Sequence, residues 1–121
     1  MNEITTAKVE FTTALQGAGL DVKEYLPDRI TPPVVIVMPN QPYLVPETVG
    51  NEYTMNLEVV CVAQTATNEN ASEELDSLIE SVLNALPAYA GITSVGKPYA
   101  LTTGNTEFLS ANLNVEVTIT I

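Results

Sequence analysis

Asn68, Asn70 and Ser72 stand at the first, third and fifth positions of a calcium-loop spacing, in a run that also holds Glu69, Glu73, Glu74 and Asp76. Such a loop needs glycine at its sixth position for the sharp turn and a bidentate acid at its twelfth. Here those positions are Glu73 and Ile79, so the run reads as the capped start of a helix whose acids are solvated. Glu73, Asp76 and Glu80 follow one another at i, i+3 and i+7. That spacing sets three carboxylates on one helical face, where they could pair for acid–base or metal chemistry. They fall on the polar side of an outer helix, and a solvated face is expected instead. Cys61 is the single cysteine; it excludes an intrachain disulfide and reads as a small buried side chain. Asn70-Ala71-Ser72 matches a glycosylation sequon, which has no consequence without a secretory leader. The absence of histidine excludes Ser-His-Asp and Cys-His machinery and imidazole ligation. No glycine-rich phosphate loop, CxxC pair or nucleophile elbow occurs. The expectation is a protein that is not an enzyme, with no catalytic, cofactor-binding or metal-ligating residues.

The charge balance narrows the partners. Fifteen acids against four bases give a net charge of −11 over 121 residues, yet 45% of residues are hydrophobic and only 16% are charged. An acidic disordered tail is thereby excluded, and one folded domain over 1–121 is expected. The bases, Lys8, Lys23, Arg29 and Lys97, are scattered, and none lies between Ile30 and Gly96, a stretch with eight acids. Gripping a phosphate backbone or an anionic membrane takes clustered bases, so neither is expected. No leader pattern is read at the start, and the longest apolar run, Val34 to Met38, is far below the ~20 residues a spanning helix needs.

The elements that would position these residues follow from periodicity. Ile4, Ala7, Phe11 and Leu15 form the stripe of an amphipathic helix over 2–16, with Asn2 as its cap and Gly17 and Gly19 as its stop. Leu20 to Leu26 reads as a short strand ending at Pro27-Asp28. Val34 to Met38 reads as a second strand, apolar on both faces, so both are expected to be covered, one by a helix and the other by a neighbouring subunit. Residues 39–51 carry three prolines and a glycine and read as an extended loop. Its Tyr43, Leu44, Val45 and Val49 either tuck over the domain's own sheet or contact another chain. From Glu52 to Gln64 the period is two, with Tyr53, Met55, Leu57, Val59, Cys61 and Ala63 on one face. A second helix is expected over 71–86, with Leu75, Leu78, Ile79, Val82, Leu83 and Leu86 inward and Asn70 with Glu73 as a capping-box-like start. Strands over 93–101 and 108–121 complete the chain, joined through Thr102, Thr103, Gly104 and Asn105. The order α-β-β-loop-β-α-β-β implies an α+β two-layer sandwich, a mainly antiparallel sheet of about five strands with two helices on one face. The uncovered face would carry Glu58, Asn112, Asn114 and Glu116.

The segments TPPVVIVMPNQPYLVP, EYTMNLEVVCVAQTATNENASEELDSLIESVLNALP and VGKPYALTTGNTEFLSANLNVEVTIT resemble the small tail-terminator, or tail-completion, proteins of long-tailed bacteriophages, in particular those of actinobacterial phages. The resemblance implies a sheet flanked by helices and a ring of six subunits at the head-proximal end of the tail tube. Such a ring stops tube polymerisation and docks to the head connector, so the implied partners are the chain itself, the major tail tube protein and the head–tail connector or neck protein. Genome DNA would pass through the lumen without specific binding. The implied location is the virion, at the head–tail junction, after assembly in the host cytoplasm. The family has no catalytic residues; residues 39–51 and 102–107 are the candidate contact segments. The alternatives are a neck-stopper or head-completion ring one layer higher, and an acidic monomeric adaptor or inhibitor that covers a basic surface.

Overall fold

Three strands, Val34–Pro46, Glu52–Thr65 and Thr106–Thr120, form the centre of one sheet: the last alternates apolar and polar residues along most of its length, the second does so up to Val59, and the first begins with five apolar residues and is held by pairing. In chain order the elements are α1 (Glu3–Gln16), β1 (Val22–Lys23), β2 (Val34–Pro46), β3 (Glu52–Thr65), α2 (Ala71–Ala85), β4 (Ala90–Val95), β5 (Tyr99–Thr103) and β6 (Thr106–Thr120). They belong to a computed structural model that describes residues 2–25, 29–48, 50–65, 67 and 69–121. The sheet order is β1-β2-β3-β6-β4, and β5 lies beside the other half of β6. β1 pairs with β2 in parallel and every other pair is antiparallel.

α1 starts where Asn2 Oδ1 accepts a hydrogen bond of 2.7 Å from the Thr5 amide, the side-chain cap expected of asparagine there. It stops at Gly17, whose amide donates to Thr13 O at 2.9 Å, and the chain turns away at Gly19, φ +87°, a conformation that favours glycine. The N-cap of α2 is Asn70, but its side chain makes no capping bond, so the capping-box expectation is corrected. Leu83 faces solvent, 38% exposed, and not the core.

The main core lies on one face of the sheet. Met55, Leu57, Val59, Cys61 and Ala63 of β3 meet Ala111, Leu113, Val115, Val117 and Ile119 of β6. Val35 and Val37 of β2, Phe11 and Leu15 of α1, and Leu75, Leu78 and Val82 of α2 join the same cluster. A second core sits on the opposite face, where Val34, Ile36, Val60, Val62 and Phe108 pack with Ile30, and Met38 and Leu101 close its margin. A parallel neighbour cannot be reached by a hairpin, so the link from β1 to β2 must cross a face of the sheet. Ile30 marks that crossing, over the second core.

The expected α+β two-layer sandwich, with a mainly antiparallel sheet of about five strands and two helices on one face, is therefore corrected. The sheet is mixed and six-stranded, strand takes 48% of the described residues against 25% for helix, and apolar clusters fill parts of both faces. The doubly apolar Val34 to Met38 run is covered on both sides by its own chain, where a neighbouring subunit was expected to supply one cover. The extended loop expected over 39–51 is mostly strand: β2 continues to Pro46, pairing Leu44, Val45 and Pro46 with Met55, Thr54 and Tyr53. The single strand expected over 93–101 is two, β4 and β5, with residues 96–98 between them.

Candidate functional site

The face of β3 and β6 away from the main core becomes polar beyond the second cluster. Register sets Glu58 opposite Asn114 and Asn56 opposite Glu116, so acids and amides alternate and the two carboxylates are not placed directly opposite each other. Two bulges bring further side chains to this face. On β2, residues 40–43 lie between the paired Pro39 and Leu44, against the single residue Asn56 on β3. Pro39 precedes this interruption and Pro42 lies within it, as proline does at strand edges and bulges. Asn56 Nδ2 donates to Pro42 O at 2.7 Å and pins the bulge. On β4 the register shifts at Thr93, whose hydroxyl donates to Asn114 O at 3.0 Å.

Asn114 is the hinge pin of the arrangement. Its Oδ1 accepts from Asn40 Nδ2 at 2.8 Å, and its Nδ2 donates to Ser94 Oγ at 2.8 Å. One amide thus ties the β2 bulge, across β3, to the β4 edge. Two residues away, Asn112 Oδ1 accepts from the Tyr99 hydroxyl at 2.8 Å. Burial pushes the Tyr99 phenol above its ordinary pKa and the nearby Glu58 carboxylate adds to this, while the bond to Asn112 acts the other way. The phenol stays protonated, so it donates a hydrogen bond and is no nucleophile at neutral pH. Glu58, Asn112 and Asn114, half-buried, and Glu116, exposed, share this face beyond the second core. Alternation in β3 also sets Asn56 on this face, whereas Asn40, Ser94 and Tyr99 were not singled out from the sequence. Their signal was indirect: the prolines at 39 and 42 mark a bulge only once β2 is known to continue past them.

The other candidates separate. Tyr43 and Leu44 pack against the main core, and the Lys8 ammonium stands 5.7 Å from the centre of the Tyr43 ring, within range of a cation–π attraction. They belong to the monomer, whereas Val45, on the other face of β2, is 38% exposed. Val49 lies outside the described residues. Tyr43→Asp is accordingly expected to lower folding stability by about 1–3 kcal/mol, read by chemical denaturation of the isolated chain. Thr102 and Thr103 end β5, and Gly104 and Asn105 form a two-residue hairpin turn with Gly104 at φ +62°. Thr103 Oγ1 is buried and without a hydrogen-bond partner among the described residues.

Glu73, Asp76 and Glu80 are exposed along α2. Glu73 borders an open groove of about 710 Å³ with Glu74, Leu20, Leu78, Ser77 and Ser81, and the Ser81 hydroxyl is committed to Ser77 O at 3.0 Å. Asn68 lies outside the described residues, Asn70 occupies the N-cap position without a side-chain capping bond, and Ser72 is exposed in the first turn. Among the described residues, no group of three or more His, Cys, Asp or Glu side chains is placed to hold a metal ion. No described helix is long and apolar enough to cross a membrane.

Cys61 is fully buried beside Ala111, and burial pushes its thiol up from 9.0 to about 12. The folded state favours the neutral thiol. This contribution to stability is complete below pH 9.0 and is lost as pH rises towards about 12. The folded chain is expected to resist thiol-directed reagents at neutral pH and to react once denatured, which colorimetric thiol titration reads. What the polar face offers chemically is an array of neutral amides and carboxylates, braced from strand to strand, with no activated nucleophile. No known protein family matches the chain, and no curated protein matches it.

Proposed function

We propose that this chain is a structural virion protein that assembles as a ring of six copies on the head-proximal end of a long-tailed phage's tail tube. The ring ends tube polymerisation and presents the surface to which the head connector docks. The observation that carries the reading is the cross-braced face holding Glu58, Asn112, Asn114 and Glu116, tied by Asn114 to both Asn40 and Ser94. A passage for DNA must let a polyanion slide without holding it. Carboxylates spaced by amides on a rigid sheet repel phosphates, and the chain's scattered bases release no condensed counterions. The phrase-level resemblance to tail terminators and the lack of a catalytic constellation support the same reading. Its partners are further copies of itself, the tail tube protein and the connector, with DNA in transit through the lumen.

Deleting the protein from the producing phage tests it. Tubes that grow beyond their normal length and carry no heads are the expected product, seen by negative-stain microscopy. Tubes of normal length, with or without heads, would overturn the terminator role.

A further inference from the structure

The sheet has two open edges that differ in kind. On one side β1 covers only Val35 and Ile36 of β2, and the remainder of β2 carries no strand on its outer side among the described residues. That stretch is blunted by Pro39, Pro42 and Pro46, the usual protection against unwanted strand pairing. On the other side β4 and β5 lie along β6 with no strand beyond them among the described residues. Neither strand contains a proline or a charge, and the protecting residues of this edge, Lys97 and Pro98, are confined to the link between them.

Both edges expose apolar side chains: Val45 on β2 is 38% exposed, and Val95 and Tyr99 at the β4–β5 edge are 43% and 37% exposed. Their charges are opposite. Lys97, exposed between β4 and β5, makes no ion pair among the described residues, where the recorded pair is Lys23 with Asp21 at 3.6 Å. Glu47 and Glu52 stand at the end of the β2–β3 hairpin beside Val45, exposed, with the Glu47 amide donating to Glu52 O at 3.0 Å.

From this complementarity we infer that the occupant of the β4–β5 edge is a second copy of this chain, which offers its β2–β3 hairpin end. Val45 of one copy meets Tyr99 of the next, which its register sets on the same sheet face, and Lys97 meets Glu47 and Glu52. The inference rests on the ring reading and says which surfaces join. The two surfaces lie on opposite sides of one sheet, so the contact is head-to-tail, the kind that closes into a ring when the rotation allows. Val45 is level with Thr118 of β6, through Thr54, and Tyr99 with Ser110, eight residues lower. The subunits therefore join with a stagger, and their strands are tilted to the ring axis, as in closed sheets generally. In a chain of net charge −11, a lysine placed against two acids also disfavours other approaches of one copy to another.

Carbodiimide cross-linking of a mixture of isotope-labelled and unlabelled full chain, read by mass spectrometry beside light scattering, tests it. An interchain Lys97–Glu47 or Lys97–Glu52 link is expected. Lys97→Glu, at an exposed position, should leave the fold intact and weaken association roughly tenfold, with recovery when it is combined with Glu47→Lys and Glu52→Lys. Defined oligomers whose interchain links fall elsewhere, or a Lys97→Glu chain that assembles unchanged, would overturn the edge assignment and leave the ring standing. A chain that stays monomeric at every concentration, and with tail tubes added, would overturn the ring reading together with it.

Discussion

Val62→Asp is expected to unfold the domain. Val62 is fully buried, and it packs with Ile30, Val34, Ile36, Val60 and Phe108 on the face away from the helices. A carboxylate there would have no basic partner in the cluster. It must either stay charged in an apolar setting or take up a proton, and both routes cost free energy. With the cavity and packing changes included, a loss above about 4 kcal/mol is expected, against a total stability of about 5–15 kcal/mol for a domain of this size. Circular dichroism with chemical denaturation reads it. The matched control is Thr118→Asp on the same sheet face but exposed, where a change below about 1 kcal/mol is expected. Equal tolerance of both substitutions would mean that this face has no core of its own.

Phe11→Ala is expected to cost about 3–5 kcal/mol, the range for removing a fully buried aromatic side chain from a packed core. Phe11 and Leu15 are the fully buried apolar residues of α1, and they reach the cluster formed by β3 and β6. Losing the ring removes much of the helix's hold on the sheet, because a helix of 14 residues is marginal without tertiary packing. The denaturation midpoint should fall sharply. Leu83→Ala on the exposed side of α2 should change stability by less than about 0.5 kcal/mol. A small effect of Phe11→Ala would show that α1 contributes little to the core.

Local pattern was enough for the parts of the fold that local physics determines. The alternation of β6 and the stripe of α1 each place a continuous set of side chains on one side, and both appear in the structure with the expected faces. Periodicity failed where pairing between distant residues decides. A run such as Pro39 to Pro46 has no alternation of its own, and it is a strand because Met55, Thr54 and Tyr53 pair with its far end. The parallel β1–β2 pair involves two residues of β1, too few to leave a pattern. Its crossing link carries Ile30 over Val34 and Val60 and builds the second core, which turned an expected subunit contact into an intrachain one. The polar face followed from alternation in β3 and β6, so Glu58, Asn112, Asn114 and Glu116 were legible. The braces from Asn40 and Ser94 were not, because bulges set which residues of β2 and β4 reach across, and that from Tyr99 was not, because it depends on the division of the 93–101 run into β4 and β5.

The proposed ring at the head-proximal end of a tail tube turns the amide and carboxylate face of each copy towards the passage. Cryo-electron microscopy of intact virions measures this most directly. A closed ring of this chain at the head–tail junction is expected, with Glu58 and Glu116 turned to the lumen. Density for the chain elsewhere in the particle, or a ring whose lumen is lined by Lys8, Arg29 or Lys97, would contradict it.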